Sequence, residues 1–159
     1  ARTGALKDWL AESAPVPVDR AAGLDAARRA VRVTGDLPAF PAAPLVVQLA
    51  ADGNIAVGPT PWGLWAWAAD AVRAEGTPEE VGDVLERATG RGLVVVLRDA
   101  HRHAGQRELA TALLAARPDA VLVDMGLPIW RPEGAVHVAT YGAAQANALA
   151  AAEVLGLTG

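Results

Sequence analysis

Three short segments of the chain, Leu45-Val46-Val47-Gln48-Leu49-Ala50, Leu93-Val94-Val95-Val96-Leu97 and Ala120-Val121-Leu122-Val123, are apolar almost without interruption and rich in β-branched residues. A strand with one face in water alternates apolar and polar residues. These do not alternate, so each is predicted to be a strand covered on both faces, the situation of a parallel sheet flanked by helices. A fourth strand is predicted at Ala135-Val136-His137-Val138-Ala139.

Helical periodicity fills the intervals. Asp19 is placed to cap a helix with Leu24, Ala27 and Val31 on its apolar side, ended by Gly35 and Pro38. Thr77-Pro78-Glu79-Glu80 opens another, with Glu80 in the position of a capping box and Val81, Val84, Leu85 and Ala88 facing inward. Gln106 to Ala116 carries Leu109, Ala112, Leu113 and Ala116 at helical spacing, and Pro118 closes it. After the turn Tyr141-Gly142, a last helix is predicted to bury Ala146, Leu149, Ala150 and Val154. Strands alternating with helices in this order predict an α/β fold, a three-layer αβα sandwich with a mostly parallel sheet joined by right-handed crossovers.

Two segments read less regularly. Residues 1–18 contain Leu6, Trp9 and Leu10 and then Pro15-Val16-Pro17-Val18, which cannot continue a helix; they read as a linker, leaving 19–159 as the folded domain. The first residue is Ala1 rather than Met, which suggests a processed product or a piece of a longer polypeptide. Between the first and second apolar runs, Ala51-Asp52-Gly53-Asn54 reads as a turn and Ile55-Ala56-Val57 as a brief strand. Thr60 and Pro61 then suit the start of a helix carrying Trp62, Trp65, Ala66 and Ala69 on one side.

Composition excludes several classes of function. At 159 residues and 52% hydrophobic content, one core of ordinary size is expected. Eighteen acidic against fourteen basic side chains, with no Lys/Arg stripe, argue against nucleic acid as a partner. No apolar run reaches the roughly 20 residues that span a bilayer, and no secretion signal opens the chain. The expectation is a soluble chain without membrane contact, with the cytoplasm favoured. There is no Cys, so disulfides and thiolate metal sites are ruled out, and no cofactor is expected. Neither a Walker loop nor a dinucleotide glycine motif follows any predicted strand, and no G-x-S-x-G elbow is present.

In open parallel sheets, ligands sit beyond the carboxyl ends of the strands. The loops predicted there are Ala51 to Asn54, Arg98 to Gly105, Asp124 to Trp130 and Thr140 to Gly142. The richest is Arg98-Asp99-Ala100-His101-Arg102-His103. Asp99 with His101 and His103 offers part of a metal ligand set, but a further ligand at a defined spacing is not evident. As an acid/base pair, Asp99 would orient the His101 imidazole. The structural alternative is that these side chains cap the start of the following helix. Asp124-Met125-Gly126-Leu127-Pro128 has the look of a phosphoacceptor loop, yet the acidic pair of a receiver domain is missing after the first apolar run and too little chain follows. Five Trp against one Tyr and one Phe are unusual; Trp62, Trp65 and Trp67 are expected in core or domain-interface packing, with sugar stacking as the alternative, and Trp9 and Trp130 fall under the same two readings.

In order, Val94-Val95-Val96-Leu97-Arg98-Asp99-Ala100-His101, the helix with Gln106, Leu109 and Ala112-Leu113-Leu114, then Ala120-Val121-Leu122-Val123 leading to Gly126-Leu127-Pro128, and Val138-Ala139-Thr140-Tyr141-Gly142, resemble the carboxyl-terminal domain of glycoside hydrolase family 3. The likeness is greatest to its bacterial β-N-acetylhexosaminidase branch and covers roughly Asp19 to Gly156. It implies a parent with an amino-terminal (β/α)8 barrel that carries the nucleophilic Asp, residues 1–18 as the connection, and a retaining O-glycosyl hydrolase activity to which this domain is accessory. Neither Glu108 nor Glu133 matches a family acid/base motif, so no catalytic residue is carried over. Trp130 stands where the family often has an Asp two residues after the loop Pro. The resemblance implies that Asp99, His101, His103, Asp124, Trp130 and Tyr141 border a substrate cleft or the face toward the barrel, with carbohydrate bound at that boundary. The competing expectation is a free-standing module that binds a sugar or other small ligand without catalysis.

Overall fold

A computed structural model of the chain describes residues 2–12, 19–51 and 61–158. Pro15-Val16-Pro17-Val18, the turn at Asp52 to Asn54, the strand at Ile55-Ala56-Val57 and the cap at Thr60 lie outside the described residues. Within the segment read as a linker, Arg2–Glu12 forms helix α1, which carries exposed Leu6 and Trp9.

The three apolar runs become β2 (Leu45–Leu49), β4 (Leu93–Leu97) and β5 (Val121–Asp124), and every residue in them is buried. With β1 (Arg32–Thr34), β3 (Asp70–Ala74) and β6 (Val136–Ala139) they make a six-stranded sheet in the order β1-β6-β5-β4-β2-β3. All neighbours are parallel except β1, which runs antiparallel to β6. Alternate positions along each buried strand feed two separate cores. Leu45, Val47, Val95 and Leu97 pack on one face with α3 (Glu80–Arg87) and α4 (Ala104–Ala116). Val46, Val94, Val96 and Val121 pack on the other with α5 (Gln145–Val154). Helix α2 (Arg20–Ala30) lies against α5, and Arg28 forks onto Glu153 at 2.6 and 2.7 Å. The result is the αβα sandwich that the apolar runs predict.

Local chemistry starts the helices where the sequence places them. Asp19 accepts hydrogen bonds from the Ala21 and Ala22 amides at 2.9 and 3.2 Å. Glu80 gathers the amides of Glu75, Gly76 and Thr77 at 2.8–2.9 Å. Burial alone would raise the Glu80 pKa, but these donors outweigh it and hold the carboxyl below its ordinary value.

Four expectations are corrected. The helix after Asp19 ends at Ala30, not near Gly35, because Arg32–Thr34 pairs with β6 as an edge strand. Residues 61–69 form turns rather than a helix: Gly63 has φ 101°, and Trp67 and Ala68 both donate to the Leu64 carbonyl. A Cβ at Gly63 would collide with the Gln48 amide, whose Nε2 donates to the Trp62 carbonyl at 3.0 Å. Those turns lead into β3, which the sequence reading lacked. In α5 the buried side includes Ala148, Ala151 and Ala152, while Val154 is exposed. In α4, Gln106 and Ala110 are buried and Ala116 is exposed.

Candidate functional site

The order of strands reverses between β2 and β4, since the chain leaves β2 for β3 on one side and returns to β4 on the other. A crevice at such a switch point is where this architecture binds ligands. Here Gln106 bridges it. Its Nε2 donates to the Ala50 carbonyl at 2.6 Å and its Oε1 accepts from the Arg98 amide at 3.3 Å, so one buried side chain ties the ends of two strands. The guanidinium of Arg98 lies over the Trp62 ring, 5.9 Å from its centroid, and within 3.6 Å of the Asp99 carboxylate.

Asp99 has φ 53° and ψ 37°, a left-handed conformation that turns the chain sharply off β4 into the single turn Ala100–Arg102. Arg107 fixes that turn by donating to the carbonyls of Ala100 and His101 at 2.7 and 3.0 Å. The Asp99 carboxylate packs on the backbone after β5: a Cβ at Gly126 would stand 2.6 Å from Asp99 Oδ1 and 2.9 Å from its amide nitrogen, so only glycine fits. Asp124, at the end of β5, accepts the Gly126 amide on Oδ1 at 2.9 Å. Its Oδ2 is buried with no hydrogen-bond partner among the described residues, as is Nδ1 of His101. Burial pushes the Asp124 carboxyl up to about 6; the Gly126 amide opposes the rise, Asp99 adds to it and His101 opposes it.

Asp99, His101 and Asp124 are therefore electrostatic neighbours on adjacent strand ends, as their positions after two buried strands predict. No hydrogen bond joins Asp99 to His101, so the orienting pair read from the sequence is not formed. The capping alternative is not formed either, because neither Asp99 nor His103 makes a side-chain cap bond. Trp130 is partly buried and packs against the core on the α3 and α4 face of the sheet. Tyr141 is exposed, with φ 55°, and lines a different cavity together with His137. Thr140 holds the neighbouring strand end: its amide donates to the Asp124 carbonyl at 3.0 Å, and Asn147 Nδ2 donates to the Thr140 carbonyl at 3.1 Å.

Trp62, Trp65 and Trp67 line an apolar cavity of about 350 Å³ with Gln145 and Ala148. Trp62 and Trp67 also pack on the core of the α5 face, and Trp65 is exposed. Among the described residues, no group of three or more His, Asp or Glu is placed to hold a metal ion, and no helix is long and apolar enough to cross a membrane. Two functional candidates escaped the sequence reading. Helical spacing places Gln106 on its helix without marking it as the clamp. The sequence marks His137 only as a strand residue, although its imidazole is buried with Nε2 unpartnered among the described residues, and burial followed by the charge of Arg131 pushes its pKa down to about 4.

No protein-family model matches the sequence, and no curated protein matches it. Among solved structures, a glycoside hydrolase family 3 β-N-acetylglucosaminidase from Paenibacillus sp. str. FPU-7 superimposes with a TM-score of 0.66 at 20% identity. The fold is shared with a glycoside hydrolase. The match takes in 92% of this chain but 34% of that one, so the chain spans about a third of the hydrolase's length. The family 3 resemblance carried by the ordered motifs thus meets a family 3 protein of the same α/β architecture.

Proposed function

We propose that this chain is the accessory α/β domain of a retaining O-glycosyl hydrolase acting on β-N-acetylhexosaminides, with the nucleophile on a (β/α)8 barrel elsewhere in the parent polypeptide. The observation that carries the reading is the fold match, which takes in nearly all of this chain and only a third of a β-N-acetylglucosaminidase. The site chemistry supports it. Retaining hydrolysis needs a carboxylate that attacks the sugar and a second group that protonates the leaving oxygen, about 5 Å apart across an accessible cleft. Asp124 is 1% exposed and its Oδ1 is tied to the Gly126 amide, so it offers nothing to a glycosidic bond. Asp99 is packed against Gly126 and Arg98. The cavities at Trp62 and at His137 are lined by neither carboxylate.

In this reading Arg98, Asp99, His101 and Tyr141 stand on loops beyond the strand ends and face the barrel or the rim of its cleft. The test is hydrolysis of an aryl N-acetyl-β-glucosaminide by the purified chain and by the full parent. Turnover is expected from the parent alone; turnover by the chain would overturn the placement of the nucleophile. A second reading, a sugar-binding module without catalysis, is favoured by the Trp-lined cavity. Saturable calorimetric binding of N-acetylglucosamine to the chain, lost in Trp65→Ala, would select it.

A further inference from the structure

The antiparallel pairing of β1 with β6 sets Arg32 opposite Ala139 and Thr34 opposite His137. Alternate residues of a strand share a face, so these four side chains stand together on one side of the sheet edge. The loop after β5 brings Pro128 and Arg131 to the same place, and the turn after β6 brings Tyr141. Arg32, Thr34, Arg131, His137 and Tyr141 all line one cavity of about 130 Å³. Its lining contains two arginines and no carboxylate.

The polar groups there are only partly used. Arg131 donates one Nη1 bond to Thr34 Oγ1 at 3.2 Å. Arg32 Nη1 donates to the carbonyls of Arg29 and Val31 at 2.6 and 2.8 Å, at the end of α2. Among the described residues neither guanidinium has an ion-pair partner, although a guanidinium fork is matched to the geometry of an oxyanion. His137 is 2% exposed and its Nε2 has no hydrogen-bond partner among the described residues, a condition that buried polar atoms rarely tolerate unless something occupies the space beside them. Tyr141 holds a left-handed backbone conformation that is costly for a residue with a Cβ.

We propose that this cavity binds a small oxyanion, the phosphate or carboxylate group of a small molecule, held by Arg32 and Arg131 and hydrogen-bonded by the buried His137 Nε2. The volume is well below the roughly 300–1,000 Å³ of pockets for drug-sized ligands, so the group itself, rather than a whole sugar, fills it. The imidazole is neutral at pH 7, and a neutral Nε2–H donates to an oxyanion without adding a third positive charge. An anion beside it offsets the charge of Arg131 and favours the imidazolium. The site does not depend on the hydrolase reading.

The test is an NMR titration of the whole chain at neutral pH and constant ionic strength, following the His137 imidazole, with sodium phosphate, sodium acetate and sodium chloride in separate arms. A saturable shift with half-saturation below about 10 mM is expected in phosphate or acetate, and the arm that saturates first names the group. Arg131→Gln, at an exposed position, is expected to weaken that response about tenfold or more while circular dichroism stays unchanged. Arg32→Gln is the second variant and is expected to do the same. An equal shift in chloride, a response that never saturates in either anion, or a response undiminished in both variants overturns the proposal.

Discussion

Asp124 and His137 are both enclosed, and burial drives their protonation in opposite directions. For Asp124, raised to about 6 in the folded chain from an ordinary 3.8, the folded state holds the extra proton between those values. Its contribution to stability is full below about pH 4 and is lost as pH rises through 6. For His137, lowered to about 4 from 6.5, the unfolded state holds the extra proton. Its contribution is full above pH 6.5 and is lost as pH falls through 4. Each shift corresponds to about 3 kcal/mol, so the two slopes nearly cancel across the same window. Substitution unmasks them. Asp124→Asn is expected to make the chain lose stability on acidification from about pH 6.5 to 4, and His137→Gln is expected to make it gain stability over that range. Urea denaturation at several pH values checks both, because the unchanged groups contribute equally to each comparison. Parallel profiles for the parent and both variants would show that neither group is perturbed.

Among the elements, Gln106 is the join between the two halves of the sheet. Gln106→Ala removes an acceptor from the Arg98 amide and a donor from the Ala50 carbonyl and leaves a void at a 2% exposed position. The expected cost is about 2–4 kcal/mol, from one or two unpaired buried backbone groups plus the cavity, read as a fall in the denaturation midpoint. A loss below about 0.5 kcal/mol would show that the clamp is replaceable by water. The elements differed in how far residue pattern betrayed them. β2, β4 and β5 were legible because burial on both faces forces an unbroken apolar run. β1 was not: Arg32, Val33 and Thr34 are all exposed, and three residues carry no period. β3 was hidden by its alanines and by Trp62, Trp65, Ala66 and Ala69 just before it, whose spacing imitates a helical stripe while Gly63 and the turns around Leu64 break it. Asp99, His101 and Asp124 were legible as polar residues directly after buried strands. The His137 cavity was not, since it exists only once β1 pairs with β6.

For the molecule as a whole, the two cores on either side of the sheet explain how a chain with no Cys reaches a stable α/β sandwich. The ordered motifs after Leu93 pointed to family 3, and the structural match extends over 92% of the chain at 20% identity, where sequence alone no longer carries a family model. The carboxylates of Asp99 and Asp124 both serve packing around Gly126. The most direct check is the nucleotide sequence of the reading frame upstream of Ala1. An open frame encoding a (β/α)8 barrel with an Asp nucleophile is the predicted result; a start codon at this point, with a stop codon in frame before it, would contradict the accessory-domain assignment.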